Sequence, residues 1–141
     1  MGLGLGLVLA CRPRKQDECA RVQAHVLEET RVMDGFHDHV HDAQFVVQHA
    51  RRLREVSAGL RALDIQDADL RDAVVRYHTS LDRLAEAWIQ AAEQHAERLA
   101  DGGADAGPGN DGTVTLTVLM STHAAALNGA RSAVSDVCGD R

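Results

Sequence analysis

The sequence predicts an all-α protein, an antiparallel up-down-up-down four-helix bundle with helices over about residues 16–33, 36–62, 68–100 and 113–138. Three observations predict it. Apolar residues recur at threes and fours along most of the 141-residue chain, the spacing of one helical face. Ala, Leu, Arg, Glu and Gln, all good helix formers, dominate those stretches. The two prolines, Pro13 and Pro108, both lie outside them. A 45% hydrophobic content marks a globular chain, and the length gives one domain able to bury a core without a metal.

From Gln16 to Leu63, Val22, Val26, Met33, Phe36, Val40, Ala43, Val47, Ala50 and Leu53 follow one another at helical spacing, with one gap of seven at Glu29. A single helix here would be roughly 70 Å long, excessive for this domain. Asp34-Gly35 supplies the break, because glycine tolerates the left-handed conformation that ends a helix. Helix one is therefore placed at about 16–33 and helix two at about 36–62. Residues 63–67 form a connector, with Asp67 as N-cap of the next helix. That third helix is the clearest: Leu70, Val74, Tyr77, Leu81, Leu84, Trp88 and Ala91 alternate at fours and threes, and it runs to about Ala100. Asp101-Gly102-Gly103 opens a glycine-rich linker through Gly112; no lysine follows it, so it is not a phosphate cradle. Thr113 to Val118 alternates as a strand does. Leu116, Met120, His123, Leu127, Ala130, Val134 and Val137 nevertheless fit a helix down to Cys138, and one strand alone has no partner. Helix is favoured, with 113–117 its least regular part.

Residues 1–15 stand apart from the bundle domain at 16–141. MGLGLGLVLA is uninterrupted apolar sequence ending at Cys11. It is too short to cross a bilayer as a helix. Gly6 stands where a myristoylation signal needs Ser or Thr, and no strand precedes GLGLG to make it a dinucleotide loop. Leu7-Val8-Leu9-Ala10-Cys11 resembles a bacterial lipobox, with small Ala10 just before the cysteine. The resemblance implies cleavage before Cys11, a diacylglycerol on its thiol, and export to the periplasmic face of a membrane. An internal start at Met1 within a longer leader accounts for the short length and the absent basic n-region. Arg12-Pro13-Arg14-Lys15 reads as a polar tether, and Arg12 after the cysteine favours the outer membrane. The competing reading is an unprocessed N-terminus on a cytosolic protein.

Cys19 opens the first helix and Cys138 closes the last. In an exported protein such a pair is expected to be bridged. A three-helix bundle would put the two at opposite ends, whereas four antiparallel helices put them at the same end. The bridge therefore requires the break at Asp34-Gly35. Closing so long a loop stabilises by roughly 4–5 kcal/mol in the chain-entropy model. The alternative is two free buried thiols in a cytosolic protein. The lipobox cysteine, Asp17-Glu18-Cys19 opening a helix, the run Leu63 to Leu70 leading into the Tyr77 helix, and a terminal cysteine resemble a group of small myxobacterial-type α-helical lipoproteins. That resemblance implies fold and location, and carries no activity.

Eight histidines invite a metal reading. In His37-Asp38-His39-Val40-His41-Asp42, His37 and His41 would stand one turn apart on a helix, a spacing that suits zinc or copper, with Asp34 or Asp38 adding an oxygen. Two histidines are an incomplete ligand set, and an exposed helix start rich in His and Asp is the plainer reading. His95 and His123 fall on apolar seams, where hydrogen-bonded core histidines are the commoner case. No Cys-x-x-Cys-His, no Glu-x-x-His and no Gly-x-Ser-x-Gly occurs, and paired carboxylates sit only in surface-like positions such as Glu28-Glu29. No catalytic residue and no cofactor is expected. The net charge of −6 argues against nucleic acid, which needs a basic footprint. Thr113 to Ala130 contains no Asp, Glu, Lys or Arg, so this part of the fourth helix should be more completely buried than the others or should meet an envelope partner; burial is the favoured expectation. The sequence thus points to a non-enzymatic binding or structural lipoprotein, with a periplasmic metal-binding protein using His37 and His41 as the alternative.

Overall fold

The computed structural model describes residues 12–39, 42–100 and 112–139, apart from the side chains of 12–13, 37, 98–100 and 112–120. The chain forms α1 (Arg12–Met33), a short 3-10 helix (Phe36–His39), α2 (Ala43–Arg61), α3 (Ala68–Ala100) and α4 (Gly112–Gly139). The four α-helices pack as a bundle, and no strand occurs among the described residues. The alternation at 113–118 is overridden: a helix there can pack along α3, whereas a strand would leave its backbone unpaired.

Helix α1 begins four residues before the predicted start, so the stretch read as a polar tether is helical. Pro13 is compatible with this because a first-turn N–H has no intrahelical acceptor to lose. The break falls where the sequence placed it. The Asp34 N–H donates to the Thr30 and Arg31 carbonyls at 3.0 and 3.3 Å, and Gly35 takes φ +72°, a conformation that strains any residue with a Cβ.

The second helix differs from expectation. Phe36–His39 is a separate 3-10 turn, and α2 starts at Ala43 rather than at 36. The cause is Asp42, whose carboxylate accepts the Gln44 and Phe45 N–H groups at 3.0 and 3.3 Å and so caps a new helix. The separate turn seats Phe36 face to face on Trp88, with ring centroids 4.0 Å apart and planes 10° apart. The buried face of α2 then runs through Val46, Ala50, Leu53, Val56 and Leu60, and Val47 is only partly buried. At α3 the Asp67 carboxylate caps as predicted, accepting the Leu70 N–H at 2.9 Å.

Helix α3 is the centre of the fold. It packs closely on both α2 and α4, and Leu70, Tyr77, Leu81, Leu84 and Trp88 are all buried. The pairs joining neighbours run in opposite order along the two helices, as antiparallel packing requires. Arg54 with Glu86 and Arg61 with Asp82 join α2 to α3, and Cys19 with Cys138 and Glu29 with Arg131 join α1 to α4. Helix α1 meets α2 over a shorter stretch and α4 at few positions. The His25 ring of α1 lies against Gly59 of α2, where a Cβ would collide with it.

The start of α1 is fastened to the α2–α3 connector by Glu18. Its buried carboxylate accepts the Gln66 N–H at 2.8 Å and the Asp67 N–H at 3.2 Å, two donors that would otherwise be left without acceptors as the chain turns. Glu18→Ala is expected to lower stability by about 1–3 kcal/mol in urea unfolding, while the exposed neighbour Asp17→Ala changes it by no more than about 0.5 kcal/mol. Equal effects at the two positions would remove Glu18 from this role.

Candidate functional site

A carboxylate buried among three helices is the most unusual polar feature of the described residues. Glu29 is 0% exposed, near the C-terminal end of α1. Its Oε2 accepts the Tyr77 hydroxyl from α3 at 2.8 Å. Arg131 of α4 donates Nη2 to both carboxylate oxygens at 2.7 Å and Nε to Oε2 at 3.1 Å. A further Arg131 nitrogen, Nη1, donates to Asn128 Oδ1 at 3.0 Å and so holds the guanidinium in place. Opposite charges neutralise, and the carboxylate oxygens are occupied by donors from within the protein.

Electrostatics follow from this closure. Burial, and then the adjacent Glu29 charge and hydrogen bond, raise the Tyr77 pKa far above that of an ordinary phenol. Burial alone would weaken the charge on Arg131, but the hydrogen bonds and charge of Glu29 raise its pKa above the usual value. Glu29 has no open face for a substrate, and Tyr77 holds its proton too firmly to shuttle it. The cluster is suited to locking helices together rather than to moving a proton.

A second cluster surrounds the 3-10 turn. Phe45 lies between His49, stacked at 3.8 Å, and His39, tilted at 4.5 Å. The His49 Nδ1 lies 3.0 Å from the Phe45 carbonyl, a distance at which it donates, and so fixes the tautomer of this buried ring. On the α2–α3 seam the Ser57 hydroxyl donates to the His78 carbonyl at 3.1 Å. Burial and the positive charge of Arg61 lower the His78 pKa, with Asp82 opposing.

An open groove of about 760 Å³ runs along the outer side of α3. It is lined by Arg54, Asp82, Glu86, Gln90 and His123 among others, and the Arg54–Glu86 ion pair lies in it. It is separate from the Glu29 cluster. His123 therefore stands at a groove rather than deep in a seam, and both His123 and His95 are half-buried.

The sequence-derived sites divide as follows. Cys19 and Cys138 come together at one end of the bundle, with sulfurs 2.15 Å and Cα atoms 5.7 Å apart, at disulfide distance. Cys11, His41 and the side chain of His37 lie outside the described residues. The helix expected to start at 36 begins at Ala43 instead, after the 3-10 turn Phe36–His39. Among the described residues, no three His, Cys, Asp or Glu side chains converge as metal ligands. Burial also needs correction over residues 121–130, the part of the charge-free segment whose side chains are described. Between residues 121 and 130 only Leu127 and Ala130 are buried, whereas Ala125, Ala126, Asn128 and Gly129 are exposed. Small side chains keep that face free of charge without requiring it to be inside.

Glu29 was read as surface-like and is the opposite. Two signals mark it in the sequence. It fills the gap of seven in the first helix's apolar series, three residues after Val26 and four before Met33, and Arg131 is the first charge after the neutral run of the fourth helix. No protein-family model matches the chain, and neither a curated protein nor a solved structure matches it.

Arg131→Leu is expected to cost about 3 kcal/mol in denaturant unfolding, the low end for breaking a buried pair, because this guanidinium is partly exposed. Glu29→Leu combined with Arg131→Leu should cost less than Arg131→Leu alone, since no charge is then stranded. A double variant less stable than that single variant refutes the reading. The phenol gives a pH test. In the unfolded chain Tyr77 ionises near pH 10 while the folded protein retains its proton, so this contribution is complete below about pH 10 and declines as pH rises further. Tyr77 is the chain's one tyrosine. Chemical denaturation from pH 8 to 11 should show a fall in stability that Tyr77→Phe lacks.

Proposed function

We propose that the chain is a lipid-anchored helical lipoprotein on the periplasmic face of a bacterial membrane, with the outer membrane favoured and a non-enzymatic binding or structural role. The observation that carries the reading is the Cys19–Cys138 pair at disulfide distance. Cytosolic thiols are kept reduced, so a structural bridge belongs to an oxidising compartment such as the periplasm. The lipobox-like Leu7-Val8-Leu9-Ala10-Cys11 stands immediately before α1, which begins at Arg12. A diacylglycerol thioether at Cys11 would place the Cys19–Cys138 end of the bundle nearest the membrane.

Membrane attachment by lipid suits the rest of the chain. No helix among the described residues is long and apolar enough to cross a membrane. With a net charge of −6 the protein has little electrostatic attraction for anionic lipid. Two acyl chains are sufficient for stable anchoring without either. The Glu29 cluster fits the structural part of the reading, since its carboxylate, phenol and guanidinium engage one another across three helices.

The reading is tested by expressing the chain with its leader in a bacterium that matures lipoproteins. The wild type is expected in the membrane fraction with a diacylglycerol mass on Cys11, and Cys11→Ser in the soluble periplasmic fraction. An unlipidated protein that begins at Met1 and fractionates with the cytosol would overturn the anchor and the location together.

A further inference from the structure

We infer that α1 is a redox-latched arm: reduction of the Cys19–Cys138 pair releases α1 from α2 and α4 while the α2–α3–α4 core stays folded. The inference does not depend on lipid at Cys11, and it concerns what a change of thiol redox state does to the bundle.

It rests on the unequal way the helices are held. The α2–α3 and α3–α4 interfaces are extensive, and α3 alone buries Leu70, Val74, Tyr77, Leu81, Leu84 and Trp88. Helix α1 buries two aliphatic side chains, Val22 and Val32, packs Val26 and Met33 partly buried against the core, and leaves Leu27 59% exposed. It meets α2 over a short stretch and α4 at few positions, close at the cysteine pair, where the Cα atoms are 5.7 Å apart, and through long polar side chains at Glu29 and Arg131. Its attachments are point fastenings: Glu18 on the Gln66 and Asp67 N–H groups, the Cys19–Cys138 pair, and Glu29 on Tyr77 and Arg131. Two of these are polar groups that water can satisfy once they are exposed. The cysteine pair is the fastening that water cannot replace. Segments with few buried apolar contacts open independently of the core. Beyond α1, Asp34 and Gly35 at φ +72° interrupt the helical backbone, so opening of α1 need not propagate into α2.

The chemistry is ordinary thiol–disulfide exchange with a dithiol reductant. One reductant thiolate attacks the sulfur of Cys138, the more exposed of the pair, and Cys19 leaves as a thiolate that takes up a proton. The second reductant thiolate then attacks the reductant's own sulfur in the mixed disulfide, Cys138 leaves as a thiolate that takes up a proton, and the reductant closes its own disulfide. One S–S bond is broken and one formed, and two electrons pass to the protein. The face uncovered on α3 and α4 carries Tyr77 and Arg131, the groups that Glu29 engages when α1 is closed.

Hydrogen–deuterium exchange of the full chain, oxidised and after dithiothreitol, reads the outcome by helix. Protection of amides 14–33 is expected to fall roughly tenfold or more on reduction, with amides 70–92 of α3 changing less than about twofold. Cys19→Ser with Cys138→Ser should give the same pattern without reductant. A bridge that acts only on the unfolded chain would lower protection equally in all four helices, and that result would overturn the inference, as would no change in any of them. A double variant that keeps full α1 protection would assign the effect to the reductant and overturn it equally.

Discussion

A carboxylate taken wholly out of water costs several kcal/mol unless something neutralises it, and in this bundle the neutralising groups belong to other helices. Glu29 can be buried only if α3 presents Tyr77 and α4 presents Arg131 at the same level. An apolar seam tolerates sliding by a turn, because one aliphatic side chain substitutes passably for the next. A buried charge does not, because a one-turn slip of roughly 5.4 Å would strand both Glu29 and Arg131. Register and rotation of α1 are therefore set by this cluster, and the positions of Glu18 and Cys19 follow from it. Eleven and ten residues earlier on the same helix, they meet the connector at 66–67 and the end of α4.

The bundle accordingly combines two kinds of cohesion. Around α3 it is held by apolar area: Trp88 on Phe36, and the leucines of α2, α3 and α4 in one continuous core. Around α1, which adds Val22 and Val32 to that core, it is held chiefly by polar contacts and a cysteine pair. Apolar cohesion is non-directional and additive over area. Polar cohesion is directional and fails abruptly when one partner is removed, because the group left behind is unsatisfied. A helix fastened in the second way is well defined in place yet can be detached by chemistry at a few atoms.

This division explains which features were legible in the sequence. Helix number, the break at Asp34-Gly35, the Asp67 cap and the seam of α3 could be read because each depends on local pattern or on an apolar period. The meeting of Cys19 and Cys138 was expected of an exported protein and agreed with four antiparallel helices, which put the two at one end. The start of α2 was misplaced because the run from Phe36 to Ala43 satisfies a helical period, while the Asp42 cap and the stacking of Phe36 on Trp88 favour a turn. Glu29 was missed because a lone carboxylate beside another reads as surface, and what makes it buried is an arginine 102 residues away. No local rule reaches that far. The gap in the apolar series marked a place where something other than an aliphatic group belonged, and only the tertiary structure shows what it meets.

The charge-free face of α4 carries the same lesson in reverse. An absence of charge from 113 to 130 suggested burial, since solvated helices usually carry a charge every turn. The described part is instead built of Ala, Asn, Gly and other small residues facing outward, with Leu127 and Ala130 inward. Small side chains lose little on exposure, so composition alone does not decide which way such a face turns. What decides it is the opposite side of the helix. Leu127, Ala130 and Val134 must reach the core at α3, and Arg131 must reach Glu29, and these demands together fix the rotation of α4. The outward turn of Ala125, Ala126 and Gly129 is thus the geometric remainder of an arrangement set by the buried carboxylate.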